Sequence, residues 1–207
     1  MAVHPTAMIE PGVSIGRNTA IWDNVHVRCS THIGEECIVG EKTYIAYGVA
    51  VGDRVKINAF VYICTGVTIE RGVMISAGTV FTNDRFPRAT TPDLRKLLPS
   101  EPDETTLPTL VREGATIGAQ CTIGCGITIG RFAMIGMGSV VTRDVPDFVL
   151  ALGNPARPVG YVCACGSRLE TGSAGIIKGS IEVTCRACAA RYGIDALRVM
   201  ELTGARN

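Results

Sequence analysis

Four of the nine cysteines stand in two close pairs, Cys163-Ala164-Cys165 and Cys185-Arg186-Ala187-Cys188, with 19 residues between them. Four converging thiolates are the donor set of a closed tetrahedral Zn2+ site, which leaves no coordination position for a substrate and is therefore structural. The second pair has the usual two-residue spacing and the first has one residue fewer, so a segment with free thiols or a redox-labile pair are the alternatives. A second group with chemical potential is Asn83-Asp84-Arg85, with Arg88 close behind. A carboxylate there can act as a general base, and the arginines can hold a carboxylate or a phosphate. The asparagine can also simply begin an Asx turn. The three histidines, His4, His26 and His32, form no obvious metal or catalytic set.

The elements that position these residues follow from a repeat. Val3, Ile9, Ile15, Ile21, Val27, Ile33, Val39, Ile45, Val51, Ile57, Ile63, Ile69, Ile75 and Phe81 fall six residues apart without a slip. The beat returns at Val111, Ile117, Ile123, Ile129, Ile135 and Val141. A period of six fits neither a helix nor an alternating strand, but it fits short strands joined by tight turns. Each unit points one aliphatic side chain inward, with a small or β-branched residue four places on, such as Thr19, Val25, Thr31, Cys37 or Cys121. Glycines that follow the aliphatic, as in Ile33-Gly34 and Ile117-Gly118, are expected to take the positive φ of the corner. Three hexapeptides per coil make six to seven coils. His26 and His32 then project from different faces of one coil.

Composition agrees with such a core. Apolar residues are 46% and charged residues 19%, and the mean hydropathy is +0.26, so the chain has material for a folded core. Twenty-four glycines against 11 aromatics mean a core of small and β-branched side chains. A net charge of +1 gives no electrostatic reason to expect nucleic acid or a membrane as partner. Met1-Ala2-Val3-His4-Pro5 lacks the regions of an export signal, and no apolar run reaches a membrane span. The expectation is a cytoplasmic protein with reduced or metal-bound thiols.

Between residues 82 and 110 the beat is lost, and five of the ten prolines fall there. So long an interruption of an ordered solenoid reads as a binding loop. Turn residues in Thr142–Asp147 and Gly153–Pro158 close the coils, and the chain changes character from about Tyr161. The expected organisation is a β-helix over 1–160 with a loop at 82–110, then a small zinc-ribbon-like segment over 161–207.

The coils, the proline-rich loop and the phrase Ile135-Gly136-Met137-Gly138-Ser139-Val140-Val141 resemble the left-handed parallel β-helix acyltransferases of the hexapeptide-repeat type. Within them, His4-Pro5-Thr6-Ala7, the loop segment Val80 to Arg88, and Gly153-Asn154-Pro155-Ala156-Arg157 are similar to nucleotide-sugar 3-N-acetyltransferases. The resemblance implies an all-β, left-handed fold, a homotrimer, and acetyl-CoA held between two prisms. It also implies transfer of acetyl to the 3-amino group of a UDP- or dTDP-linked amino sugar. Asn83 fills the place of an active-site asparagine whose carbonyl orients the amine, and the departing CoA thiolate then takes the proton. Asp84 is the competing base. Arg85 and Arg88 fall to the sugar nucleotide. Gly118, Gly136 and Gly138 leave a groove open to pantetheine, and Arg131 and Arg157 could meet the CoA phosphates, although glycines are equally expected at corners.

Rival expectations are a sugar O-acetyltransferase of the same fold, a metal-binding β-helix like the γ-class carbonic anhydrases, and a scaffold. Hydroxyl acetylation calls harder for a base, and a carbonic-anhydrase site needs three convergent histidines, which His4, His26 and His32 do not obviously supply.

Overall fold

In the computed structural model, which describes residues 2–172 and 175–204, each hexapeptide is a two-residue strand followed by a turn. Strands stack in parallel at an offset of 18 residues, as in Ala20 on Ile38 and Ile21 on Val39. Three parallel sheets result. The first has eight parallel rungs from Ala2–Val3 to Val149–Gly153, the second seven and the third six. An isolated parallel bridge between Ile129 and Val145 extends the third face. The coils therefore run past Val141, where the turn residues had suggested an end, because Val145 and Val149 still supply inward apolar side chains. No helix is found among the described residues, so none is long and apolar enough to cross a membrane.

The aliphatic of each hexapeptide fills the prism. Val27, Ile33, Val39, Ile45 and Ile63 are fully buried, each contributing roughly 1.5–3 kcal/mol by leaving water. The small-residue position does more than pack. Thr19 Oγ1 donates to Gly34 O at 2.7 Å, and Thr31 Oγ1 to Ala46 O at 2.9 Å. Cys37 and Cys121 do the same with sulfur, to Gly52 O at 3.1 Å and Gly136 O at 3.3 Å.

The corner glycines correct one expectation. Positive φ falls three residues after the aliphatic, at Gly12, Asn18, Asn24, Ser30, Glu36, Lys42 and onward, often at non-glycine residues. The glycine directly after the aliphatic serves a different need. A Cβ on Gly16 would stand 2.5 Å from Glu35 N, and one on Gly52 would stand 2.7 Å from Arg71 N. That glycine lets successive coils approach, because nothing larger than hydrogen fits between their backbones.

The excursion leaves after Val80–Phe81 and rejoins at Thr109–Val111, which already pairs with Val67–Ile69. Stacking resumes with the offset raised to 42 residues, Ile75 on Ile117. Antiparallel bridges Asp84–Thr106 and Thr90–Leu97 shape the loop as a hairpin. After Val149–Gly153 the chain reverses into Ala156–Val162 and Arg168–Leu169, so pairing runs on through residue 160. A three-stranded antiparallel sheet, Ser180–Thr184, Arg191–Asp195 and Arg198–Thr203, completes the tail.

Candidate functional site

The hairpin excursion lies over the second face of the prism and borders an open cavity of about 740 Å³. Tyr44 and Tyr62 on its floor belong to a column set by the 18-residue offset. His26, Tyr44 and Tyr62 each precede an inward aliphatic and stand above one another. The Tyr44 and Tyr62 rings are stacked at 5.1 Å and 7°, and His26 meets Tyr44 edge-on at 5.4 Å. Arg28 Nη1 donates to Tyr44 Oη at 2.9 Å and lies over the Tyr47 ring. Beneath them Glu10 pairs with Arg28 and His26, the latter at 2.9 Å, and accepts the Cys29 amide at 2.9 Å. The Cys29 amide is the main force holding the Glu10 carboxyl below the usual range; His26 and Arg28 add to it, and desolvation opposes it.

Asn83, Asp84 and Arg88 line this cavity and also an adjoining one of about 380 Å³ within the loop, which Arg85 borders as well. The backbone carbonyl of Asn83 accepts the Leu107 amide at 2.9 Å and pins the base of the hairpin. Among the described residues no hydrogen bond engages its partly buried side-chain amide. Asp84 is exposed on the wall. Among the described residues Arg88 bonds only its neighbour's carbonyl, Pro87 O, at 3.1 Å. Cys64 lies on the floor, and burial pushes its thiol up to about 12, so at neutral pH it is protonated and no nucleophile.

Arg28, Tyr44, Tyr47 and Tyr62 were not singled out from the sequence. The 18-residue spacing of His26, Tyr44 and Tyr62 carried the signal, in the residues just before the aliphatics.

The residues assigned to CoA do not gather in the loop cavity. A Cβ on Gly118 would meet Met137 N at 2.6 Å, and one on Gly136 would meet Leu152 Cβ at 2.8 Å; Gly138 takes φ +69. Coil contact and corner geometry account for all three. Arg131 is committed to Glu113, its Nε and Nη2 donating to Oε1 at 2.9 and 2.7 Å. Arg157, at the tip of the Val149–Val162 hairpin, is exposed and, among the described residues, donates only to Ala156 O at 2.9 Å. The histidines have separate partners: His4 bonds Thr6, His26 bonds Glu10 and His32 bonds Ser14.

The four tail cysteines do come together. Their Sγ atoms all lie within 4.8 Å of one another, and they are the only such metal-capable cluster among the described residues. Cys163 and Cys188 are 3.4 Å apart, and Cys165 and Cys185 are 3.7 Å apart. The shorter spacing of the first pair does not keep either sulfur out.

Residues 12–47 and 48–83 match the bacterial transferase hexapeptide family, and residues 108–143 match the hexapeptide repeat of succinyl-transferase. Over 62 residues, 30% of this chain, the sequence is 60% identical to dTDP-3-amino-3,6-dideoxy-alpha-D-galactopyranose 3-N-acetyltransferase of Aneurinibacillus thermoaerophilus, covering 32% of that protein. Over 52 residues, 25% of this chain and 15% of the other, it is 44% identical to serine acetyltransferase 4 of Arabidopsis thaliana. The aligned regions thus span a third or less of these curated relatives. Among solved structures, WeeI from Acinetobacter baumannii AYE shares 24% identity at TM-score 0.49, over 77% of this chain and 58% of that one. A variant of AntD, an N-acyltransferase from Bacillus cereus in complex with dTDP and coenzyme A, shares 21% identity at TM-score 0.49, over 77% and 79%.

Proposed function

The chain belongs to the hexapeptide-repeat bacterial transferases, and from that premise we propose that it transfers acetyl from acetyl-CoA to the 3-amino group of a nucleotide-linked amino sugar. The observation that carries this reading is the Asn83 side chain, without a hydrogen bond among the described residues, on a cavity that Asp84 and Arg88 also line. The 62-residue match to a dTDP-amino-sugar 3-N-acetyltransferase supports the substrate class.

Amide formation needs a neutral amine held ~3 Å from the thioester carbon and aligned with it. The Asn83 side-chain carbonyl accepts an N–H of the amine and aims the nitrogen lone pair at that carbon. The C–N bond forms, the tetrahedral intermediate collapses, and the C–S bond breaks to release CoA thiolate. The proton lost by nitrogen passes to that thiolate or to Asp84. Arg85 and Arg88 hold the phosphates, or a sugar carboxylate, at the cavity mouth. The CoA arm runs along the coil edge at Gly118, Gly136 and Gly138, with Arg157 meeting its phosphates. Arg131, neutralised by Glu113, contributes shape rather than charge.

The working assembly is a homotrimer with CoA between neighbouring prisms, drawing on a cytoplasmic pool of sugar nucleotides. The tail thiols Cys163, Cys165, Cys185 and Cys188 hold a structural Zn2+ apart from the transfer chemistry, within a unit formed by residues 161–207. Incubation with acetyl-CoA and a panel of dTDP- and UDP-linked amino sugars, following thiol release, tests the reading. Release with a 3-amino sugar is expected, and no release with any amino sugar rejects it.

A further inference from the structure

Resting on the reading that the four tail thiols take Zn2+, we infer that this metal clamps a cap onto the C-terminal end of the prism and so fixes its last coil, Val145 to Val162. The donor geometry fits the ion. Zn–S bonds of about 2.3 Å in a tetrahedron put sulfurs roughly 3.8 Å apart. The observed 3.4 and 3.7 Å separations, with every pair within 4.8 Å, lie close to that arrangement.

The Cys165 amide donates to Cys163 Sγ, the amide and hydroxyl of Ser167 to Cys165 Sγ, and the Ala190 amide to Cys188 Sγ. Donors of this kind orient the ligands and spread their negative charge. The second knuckle is closed by Ala189 N donating to Cys185 O at 2.9 Å, with Ala189 at φ +61.

The two knuckles belong to different sheets, which makes the metal a clamp. Cys163 follows Ala156–Val162, which pairs with the final rung of the prism. Cys185 and Cys188 lie in the turn between Ser180–Thr184 and Arg191–Asp195 of the separate sheet. From the cluster a continuous path of contacts enters the prism. Tyr192, fully buried, has its hydroxyl 3.1 Å from Cys163 Sγ and accepts the Ala164 amide at 3.0 Å. Its ring tilts against Phe148 at 5.4 Å, and Phe148 stacks on Phe132 at 5.3 Å. The Phe148 carbonyl accepts the Val162 amide at 2.8 Å, tying the hairpin to the coil beneath.

A solenoid needs such a cap because its end rung would otherwise show the core to water. At this end Val149 and Ala151 are at most 1% exposed, whereas Val3 at the opposite end is 36% exposed.

The test pairs elemental analysis of protein purified without chelator with hydrogen exchange before and after metal removal. About one zinc per chain is expected. Stripping it should raise exchange roughly tenfold or more over 145–162 and 176–203 while residues 20–81 hold, and added Zn2+ should reverse the change. No zinc, together with no uptake of Zn2+ or Co2+ by the reduced protein, would overturn the site itself. Bound zinc whose removal leaves exchange over 145–162 unchanged would keep the site and overturn the clamp. Tyr192→Phe retains all four thiols; it should keep zinc yet loosen 145–162, and exchange equal to the native protein there would overturn the proposed path.

Discussion

Asn83 and Asp84 occupy the same cavity wall but offer different chemistry, and substitution separates them. An amide can orient the amine without accepting its proton, so Asn83→Ala should lower kcat roughly a hundredfold with little change in KM. Steady-state kinetics on the acetylated sugar checks this. Near-native kcat in Asn83→Ala alongside an inactive Asp84→Asn would move the role of base to Asp84. The loop residues were legible as polar side chains in a break of the repeat, and Asn83, Asp84 and Arg88 do share a cavity. Arg28, Tyr44 and Tyr62 were missed because the six-residue beat was followed through the inward aliphatics, while the outward residues follow the longer 18-residue column. The same 18-residue offset explains Arg131, whose partner Glu113 lies one coil earlier.

At the level of the coil, the position after the aliphatic and the corner position make opposite predictions. Gly52→Ala places a methyl against the backbone of the next coil and should cost roughly 1–3 kcal/mol or more. Ser30→Gly, at an exposed corner with φ 58, relieves left-handed strain and should gain about 1 kcal/mol. Chemical denaturation of both variants reads the difference, and stabilisation by Gly52→Ala would contradict the packing argument. The repeat fixed which residues face inward; it did not reveal which corner residue takes positive φ, because nine non-glycine residues accept it there.

Charges along one corner are a further element. Glu113 accepts from Arg131 and from Arg71 Nε at 2.9 Å, and these bonds, Arg131 first, hold its carboxyl below the usual range. A depressed carboxylate stabilises the fold above its unfolded value of about 4.3, and that contribution fades as pH falls through the lower folded value. Glu113→Gln should therefore cost up to about 1 kcal/mol at neutral pH, since both arginines are partly exposed, and the gap should close in acid. An equal cost at every pH would assign the loss to packing.

Across the whole molecule, a prism with one buried aliphatic column carries the loop on its second face and the thiol cluster at one end. The parallel β-helix was legible because every coil repeats the same choice. The path of the tail was not, since Tyr161 and Tyr192 bury themselves through partners distant in sequence: Tyr161 Oη donates to Ala196 O at 2.6 Å and accepts the Ile177 amide at 3.1 Å. The proposed trimer has its own check. Sedimentation equilibrium should give three times the chain mass of 21.9 kDa, and a monomer that is fully active would contradict a CoA site shared between prisms.

Locating the acetyl group in the product separates transfer to the sugar nitrogen from transfer to a ring hydroxyl. After incubation with acetyl-CoA and a dTDP-3-amino-3,6-dideoxyhexose, NMR of the isolated product should show a single new acetamide at C3, formed in step with free CoA. An unmodified sugar, or an acetyl ester on a ring hydroxyl with the 3-amine free, would contradict acetyl transfer to the 3-amine.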